Sequence, residues 1–172
     1  KMILDALNDP FYRIRELAIT QSNRVKRTNK DELVAKMSEL VKKDPKSSVR
    51  ASALDFLLSN FDSEIQTKEA LQFALDNDQS YKVLGTALIG MAKFDSESAM
   101  KKAKTLESEN GQTMLLNISS LYGKYGTAEN YEFFNSLFKE GKVGGFSLLG
   151  VVGSFGAYVR NNEYEVQSKA LG

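Results

Sequence analysis

The 172-residue sequence predicts an all-α fold, a short α-α superhelix of antiparallel helix pairs. Three observations carry that prediction. A motif built on Asp recurs at intervals of 35 and then 34 residues. Apolar residues return at helical spacing through most of the chain, and the period-two alternation of half-buried strands is almost absent. Only 2 residues are Pro, so helix breakers are scarce. The length suits one domain or a short repeat array, and the chain is read as a single solenoid domain, 1–172.

The elements follow in order. Lys1-Met2-Ile3-Leu4-Asp5-Ala6-Leu7 reads as the last turns of a helix already under way, so the chain is expected to be a fragment of a longer protein. The repeat then opens as Asp9-Pro10-Phe11-Tyr12-Arg13-Ile14-Arg15-Glu16-Leu17-Ala18-Ile19. It returns as Asp44-Pro45-Lys46-Ser47-Ser48-Val49-Arg50-Ala51-Ser52-Ala53-Leu54, and again as Asp78-Gln79-Ser80-Tyr81-Lys82-Val83-Leu84-Gly85-Thr86-Ala87-Leu88. Asp is a good helix N-cap, and Pro is tolerated at the first helical position, where its missing N–H costs nothing. The β-branched residue five after Asp, Ala nine after and the apolar residue ten after share one helical face. First helices are therefore expected near 10–22, 45–60 and 79–94.

Second helices lie between them. One runs over 30–43 with Leu33, Met37, Leu40 and Val41. Another, over 64–75, is opened by Ser63-Glu64-Ile65-Gln66 at capping-box spacing, and a third covers 96–107. A fourth, eroded copy of the repeat starts near Glu109, with Met114 and Ile118 in register. Thr127 caps a helix through Lys139, partnered by Gly111–Tyr125. The Gly-rich stretch from Gly141 to Gly156 closes the chain as a helix, with Gly150, Gly153 and Gly156 as a close-packing face. Its apolar core, Phe146–Val159, is 14 residues, short of the roughly 20 that cross a bilayer, so no membrane contact is expected.

Composition narrows the chemistry. The chain has no His and no Cys. His-based triads, thiol catalysis, disulfides and the usual zinc ligands are thereby excluded within it, and no catalytic residue, cofactor or metal is assigned to it. The formal net charge is +1, which makes no general case for nucleic acid or an anionic surface. The basic cluster Arg24, Lys26, Arg27 and Lys30 reads as a solvated turn between helices. Residues 1–50 carry 12 basic and 7 acidic groups, and residues 51–100 carry 3 and 8. That alternation suits neighbouring units which attract one another. Asp76-Asn77-Asp78-Gln79-Ser80 starts like a calcium loop, but the Gly and Glu such a loop needs are Tyr81 and Ala87. The acidic pairs Asp62/Glu64 and Glu163/Glu165 read as surface acids. Arg15 and Arg50 are expected to bridge to an Asp of an adjacent repeat. The aromatics Tyr122, Tyr125, Tyr131, Phe133, Phe134, Phe138, Phe146 and Phe155 are expected mostly between helices.

Asp-Pro at a helix start, followed by Ile/Val-Arg and then Ala, resembles the HEAT-type repeat in a short variant. The tetratricopeptide Trp and the ankyrin His are lacking. Further likeness lies in Leu7-Asn8-Asp9-Pro10-Phe11-Tyr12-Arg13-Ile14-Arg15, Lys43-Asp44-Pro45, Ala74-Leu75-Asp76-Asn77-Asp78 and Ser119-Ser120-Leu121-Tyr122-Gly123-Lys124-Tyr125-Gly126, in that order. Over most of its length the chain resembles the C-terminal helical domain of bacterial, Bacteroidetes-type M1-family zinc aminopeptidases. The family's His-Glu-x-x-His helix and Gly-x-Met-Glu-Asn loop are not in this sequence. The resemblance implies a domain that packs on an upstream, zinc-bearing catalytic domain of the same chain and limits which peptides enter, meeting peptide substrates only indirectly. A free-standing protein-interaction scaffold and a HEAT-type nucleic-acid binder using Arg24–Lys30 are the competing classes. Under the leading reading the N-terminal end is the docking surface, formed by Met2, Ile3, Leu7, Phe11 and Tyr12. The polar run Arg160–Glu165 is expected to face solvent.

Overall fold

A computed structural model of the chain describes residues 2–109 and 111–163. Among these residues every regular element is helical. The α-helices are α1 (Met2–Ala6), α2 (Tyr12–Gln21), α3 (Lys30–Lys43), α4 (Ser47–Asn60), α5 (Ile65–Asn77), α6 (Tyr81–Met91), α7 (Ser96–Thr105), α8 (Gln112–Tyr125), α9 (Tyr131–Lys139) and α10 (Gly145–Asn161). Short 3-10 turns cover Ser22–Arg24 and Ala128–Asn130. The fold is all-α and of helical-repeat type, and each helix expected from the apolar spacing forms within a few residues of its expected ends.

The chain divides into two compact units, Lys1–Gly90 and Met91–Gly172. In the first, equivalent helices of successive repeats lie side by side: α2 on α4, and α3 on α5. Helix α4 also packs on both α3 and α5. The motif's apolar positions build the core. Val49, Ala53, Leu54, Val83, Ala87 and Leu88 are fully buried, facing second-helix residues such as Leu33, Met37 and Leu71. Small residues allow close approach here. A Cβ added at Gly90 would lie 2.6 Å from Leu58 and 2.7 Å from Leu71.

The repeat's opening differs from expectation. The motif Asp is not the N-cap, and Pro is not the first helical residue. Each first helix starts three residues after its Asp, at Tyr12, Ser47 and Tyr81. The Asp carboxylate instead closes a turn on the amide two residues on: Phe11 to Asp9 at 2.8 Å, Lys46 to Asp44 at 2.8 Å, Ser80 to Asp78 at 2.9 Å. A short side chain that mimics the turn's own carbonyl competes well with helix capping, and Pro biases the preceding Asp toward extended backbone. Nor does the Ser63–Gln66 spacing form a capping box. Glu64 is the N-cap of α5 and makes no side-chain cap bond.

The second unit is held differently. Helix α7 is capped by Asp95, which accepts the Ser98 amide at 3.0 Å. Asn130 Oδ1 accepts the Thr127 amide at 3.0 Å, stabilising the turn that leads into α9. Helices α8 and α10 pack along one another. The expected glycine face on α10 is only partly used. Gly150 abuts Leu116, whereas a Cβ at Gly153 would meet nothing within 4 Å. The close approach is made by α8, where a Cβ at Gly123 would sit 2.6 Å from the Ser154 carbonyl oxygen. Around that contact Phe134 lies 5.2 Å from Phe155 and 5.1 Å from Tyr158, with the Tyr158 hydroxyl donating to the Thr127 carbonyl at 2.8 Å. Tyr122, Phe133 and Phe134 are buried as expected, but Phe146 is 93% exposed at the start of α10.

The Gly123 contact is backbone against side-chain position, so it cannot be relieved by a rotamer change. Gly123→Ala is expected to force α8 and α10 apart and cost about 2 kcal/mol, in the range of overpacked cores. The urea midpoint of the chain measures the loss. Gly153→Ala, into open space, is the matched control and is expected to be neutral or slightly stabilising.

Candidate interaction face and arginine ladder

The motif arginines bridge repeats as expected. Arg15 grips the Asp44 carboxylate with two parallel bonds, Nε to Oδ2 at 2.6 Å and Nη2 to Oδ1 at 2.9 Å. Arg50 repeats the grip on Asp78, again at 2.6 and 2.9 Å. The remaining nitrogen of each guanidinium turns back onto its own repeat. Arg15 Nη1 donates to the carbonyls of Asp9 at 2.7 Å and Pro10 at 3.1 Å. Arg50 Nη1 does the same for Asp44 at 2.9 Å and Pro45 at 3.3 Å. One planar donor thus satisfies two turn carbonyls and the next repeat's carboxylate, which a lysine's point charge does not reproduce.

The ladder is largely dry. The Arg15 and Asp44 side chains are 9% and 2% exposed, and those of Arg50 and Asp78 are 19% and 6%. The Asp44 and Asp78 carboxylates are each held by an arginine, so in the Asp76–Ser80 run the Asp78 oxygens are already engaged. Burial alone would push the Asp78 carboxyl up. The Arg50 guanidinium and the Ser80 amide outweigh it and hold the group below the usual carboxylate range. At the third repeat the arginine position is Leu84, which is buried, and the ladder stops.

The five residues expected to form a docking surface are not equivalent. Met2 is 82% and Phe11 52% exposed, and Ile3 is half-buried. Tyr12 is also half-buried, with the Lys46 ammonium 4.9 Å from its ring centroid, so it already serves the contact between the first two repeats. Leu7 is completely buried inside the unit and is no part of a surface. Two residues absent from that expectation extend the face along α2: Ile14, 38% exposed, and Leu17, 54% exposed. Leu17 carried a signal. Eight residues after Asp the other repeats have Ser52 and Thr86, which marks the position as outward-facing. Ile14 carried none, because its equivalents Val49 and Val83 are fully buried.

Other candidates hold no converging chemistry. Lys26 donates to Asn60 Oδ1, and Lys30 pairs with Glu64 at 2.6 Å, so half of the basic cluster is engaged within the unit. Glu165 lies outside the described residues, as does the end of the Arg160–Glu165 run. In the second unit an open groove of about 660 Å³ runs past Met100, Lys104, Tyr125 and Glu129. Beside it, burial first and then the Glu107 carboxylate, 2.7 Å from its hydroxyl, push the Tyr122 phenol far above its ordinary value. That phenol is a fixed proton donor to Glu107, not an acid–base group. Among the described residues no helix is long and apolar enough to cross a membrane. No family model, curated protein or solved structure matches the chain.

Two outcomes follow for the ladder. Arg15→Gln leaves Asp44 buried without its cation, and is expected to cost about 3 kcal/mol in urea unfolding, with Arg50→Gln costing less. Asp78 has a folded pKa below its unfolded value near 3.9. Its contribution is therefore complete above about pH 4 and is lost as pH falls through the folded pKa. The unfolding midpoint measured from pH 5 downward is expected to fall, and Arg50→Gln is expected to flatten that decline.

Proposed function

We propose that this chain is a non-catalytic, HEAT-like packing domain, the C-terminal helical domain of an M1-like zinc metallo-aminopeptidase. On this reading it seats on the catalytic domain and restricts which peptides reach it. The observation that supports it most is the contrast within the first unit. Buried bidentate ion pairs tie its repeats together, while Phe11, Ile14 and Leu17 of the first repeat remain exposed. Contiguous exposed apolar surface is costly in water and marks places that other protein covers. A stack tied by buried ion pairs resists bending and makes a suitable wall. With no His and no Cys, the chain contributes shape and not zinc ligation, and the zinc belongs to the catalytic domain.

The reading frame ahead of Lys1 tests this directly. A His-Glu-x-x-His helix several hundred residues upstream supports it, and a frame that starts at this chain favours a free-standing interaction scaffold. In the full-length protein, Phe11→Ser combined with Leu17→Ser is expected to raise cleavage of long peptides relative to dipeptides while dipeptide turnover stays unchanged. Equal effects on both substrates would count against an access-limiting role.

A further inference from the structure

The first repeat has what the second and third repeats have except a complete helix pair before it: on that side only the five-residue α1 packs on α2. The Asp9 carboxylate accepts the Phe11 amide, as Asp44 and Asp78 accept theirs. Asp44 and Asp78 each also hold a guanidinium through two bonds. Among the described residues no side chain makes such a grip on Asp9. Five residues after each Asp the β-branched side chain is covered in two repeats, at Val49 and Val83, and 38% exposed in the first, at Ile14. The position two after Asp is exposed in the second repeat too, but there its side chain has a partner in the repeat before. Lys46 reaches back over the ring of Tyr12 in the preceding repeat, whereas Phe11 is 52% exposed. Two positions of one repeating interface, Asp9 and Ile14, thus lack what both later repeats have, and Phe11 lies exposed at the same end.

We propose that this face takes a helix pair of the same repeat class, whose first helix presents an arginine to the Asp9 carboxylate. The neighbouring interface supplies the rest of its chemistry. An apolar or aromatic side chain three residues after its own Asp receives Phe11, as Tyr12 receives Lys46. Its two helices cover Ile14, as α2 and α3 cover α4. A second copy of this chain does not fit. Its arginines at this position, Arg15 and Arg50, are already committed to Asp44 and Asp78, and its third repeat has Leu84 there. The inference deepens the packing-domain reading by naming what the covering surface presents, and it does not depend on the neighbour being a peptidase.

The test extends the chain by its own repeat. Residues 1–8 are replaced by an added copy of residues 9–43 placed directly before Asp9, which sets the added arginine 29 residues ahead of Asp9, the separation seen between Arg15 and Asp44. The extended chain is expected to unfold as one unit in urea with a higher midpoint than the original. Asp9→Asn, which keeps an oxygen for the Phe11 amide, is expected to lower the midpoint of the extended chain by much more than that of the original chain. Changing the added arginine to Gln is expected to cause the same loss, and combining it with Asp9→Asn to cause no further loss, as a shared interaction requires. An extended chain that gains no stability or does not fold cooperatively overturns the inference. So does Asp9→Asn acting equally in both chains, or an Asp9-dependent dimer of the original chain in sedimentation. A frame without a peptidase would sink the enzyme reading and leave this result standing; an indifferent Asp9 would do the reverse.

Discussion

The structure of the first unit turns on one recurring side-chain pair, the arginine of one repeat held by the aspartate of the next. Asp44 and Asp78 each close their own turn and receive the preceding repeat's guanidinium. Each arginine in turn satisfies two carbonyls of the Asp-Pro segment behind it. Those carbonyls precede the helix and have no intrahelical donor, so without the arginine they would be left partly buried and unpaired. Turn geometry, helix start and repeat-to-repeat spacing are therefore set by the same few atoms. A charged pair this dry gains little net energy over an apolar replacement, but it tolerates only one register, because removing either partner strands a buried charge.

Where the arginine is replaced by Leu84 the chain changes its method. The second unit is organised by close helix approach at Gly123 and by an aromatic cluster around Phe134, Phe155 and Tyr158. Asparagines finish the work at the end of α10. Asn161 donates to the Gly123 carbonyl at 3.1 Å, and Asn162 donates to that of Gly126 at 3.0 Å. The same helix that buries Val151 and Tyr158 leaves Phe146, Leu149 and Val152 exposed, so its apolar residues exceed what its own unit covers.

The functional reading rests on the same asymmetry. A ladder of identical contacts has no internal reason to end. Within the described residues it stops at Leu84 on one side, and on the other Asp9 holds no guanidinium. The apolar residues Phe11 and Leu17 occupy positions where the other repeats carry Lys46, Ser80, Ser52 and Thr86. The first repeat is thus more apolar at these two positions than the repeats that follow it.

Much of this was legible in the residues. Helical periodicity and the Asp-based repeat determined the helices and their order, because both depend on local spacing. The Arg15 and Arg50 bridges were also readable, since a charge repeated in register with a buried stripe needs a partner repeated in register. Other features were decided only by the tertiary structure. The motif Asp became a turn-former and arginine receptor, not an N-cap, because the guanidinium arrives from a residue 28 or 29 positions away. Leu7 and Ile14 exchanged their expected places, the first buried and the second exposed. Periodicity reports which face of a helix is apolar, whereas burial depends on whether a neighbour stands against that face. Gly123 outranked the glycines of α10 for the same reason: close approach belongs to a pair of helices, and a single chain segment does not reveal its partner.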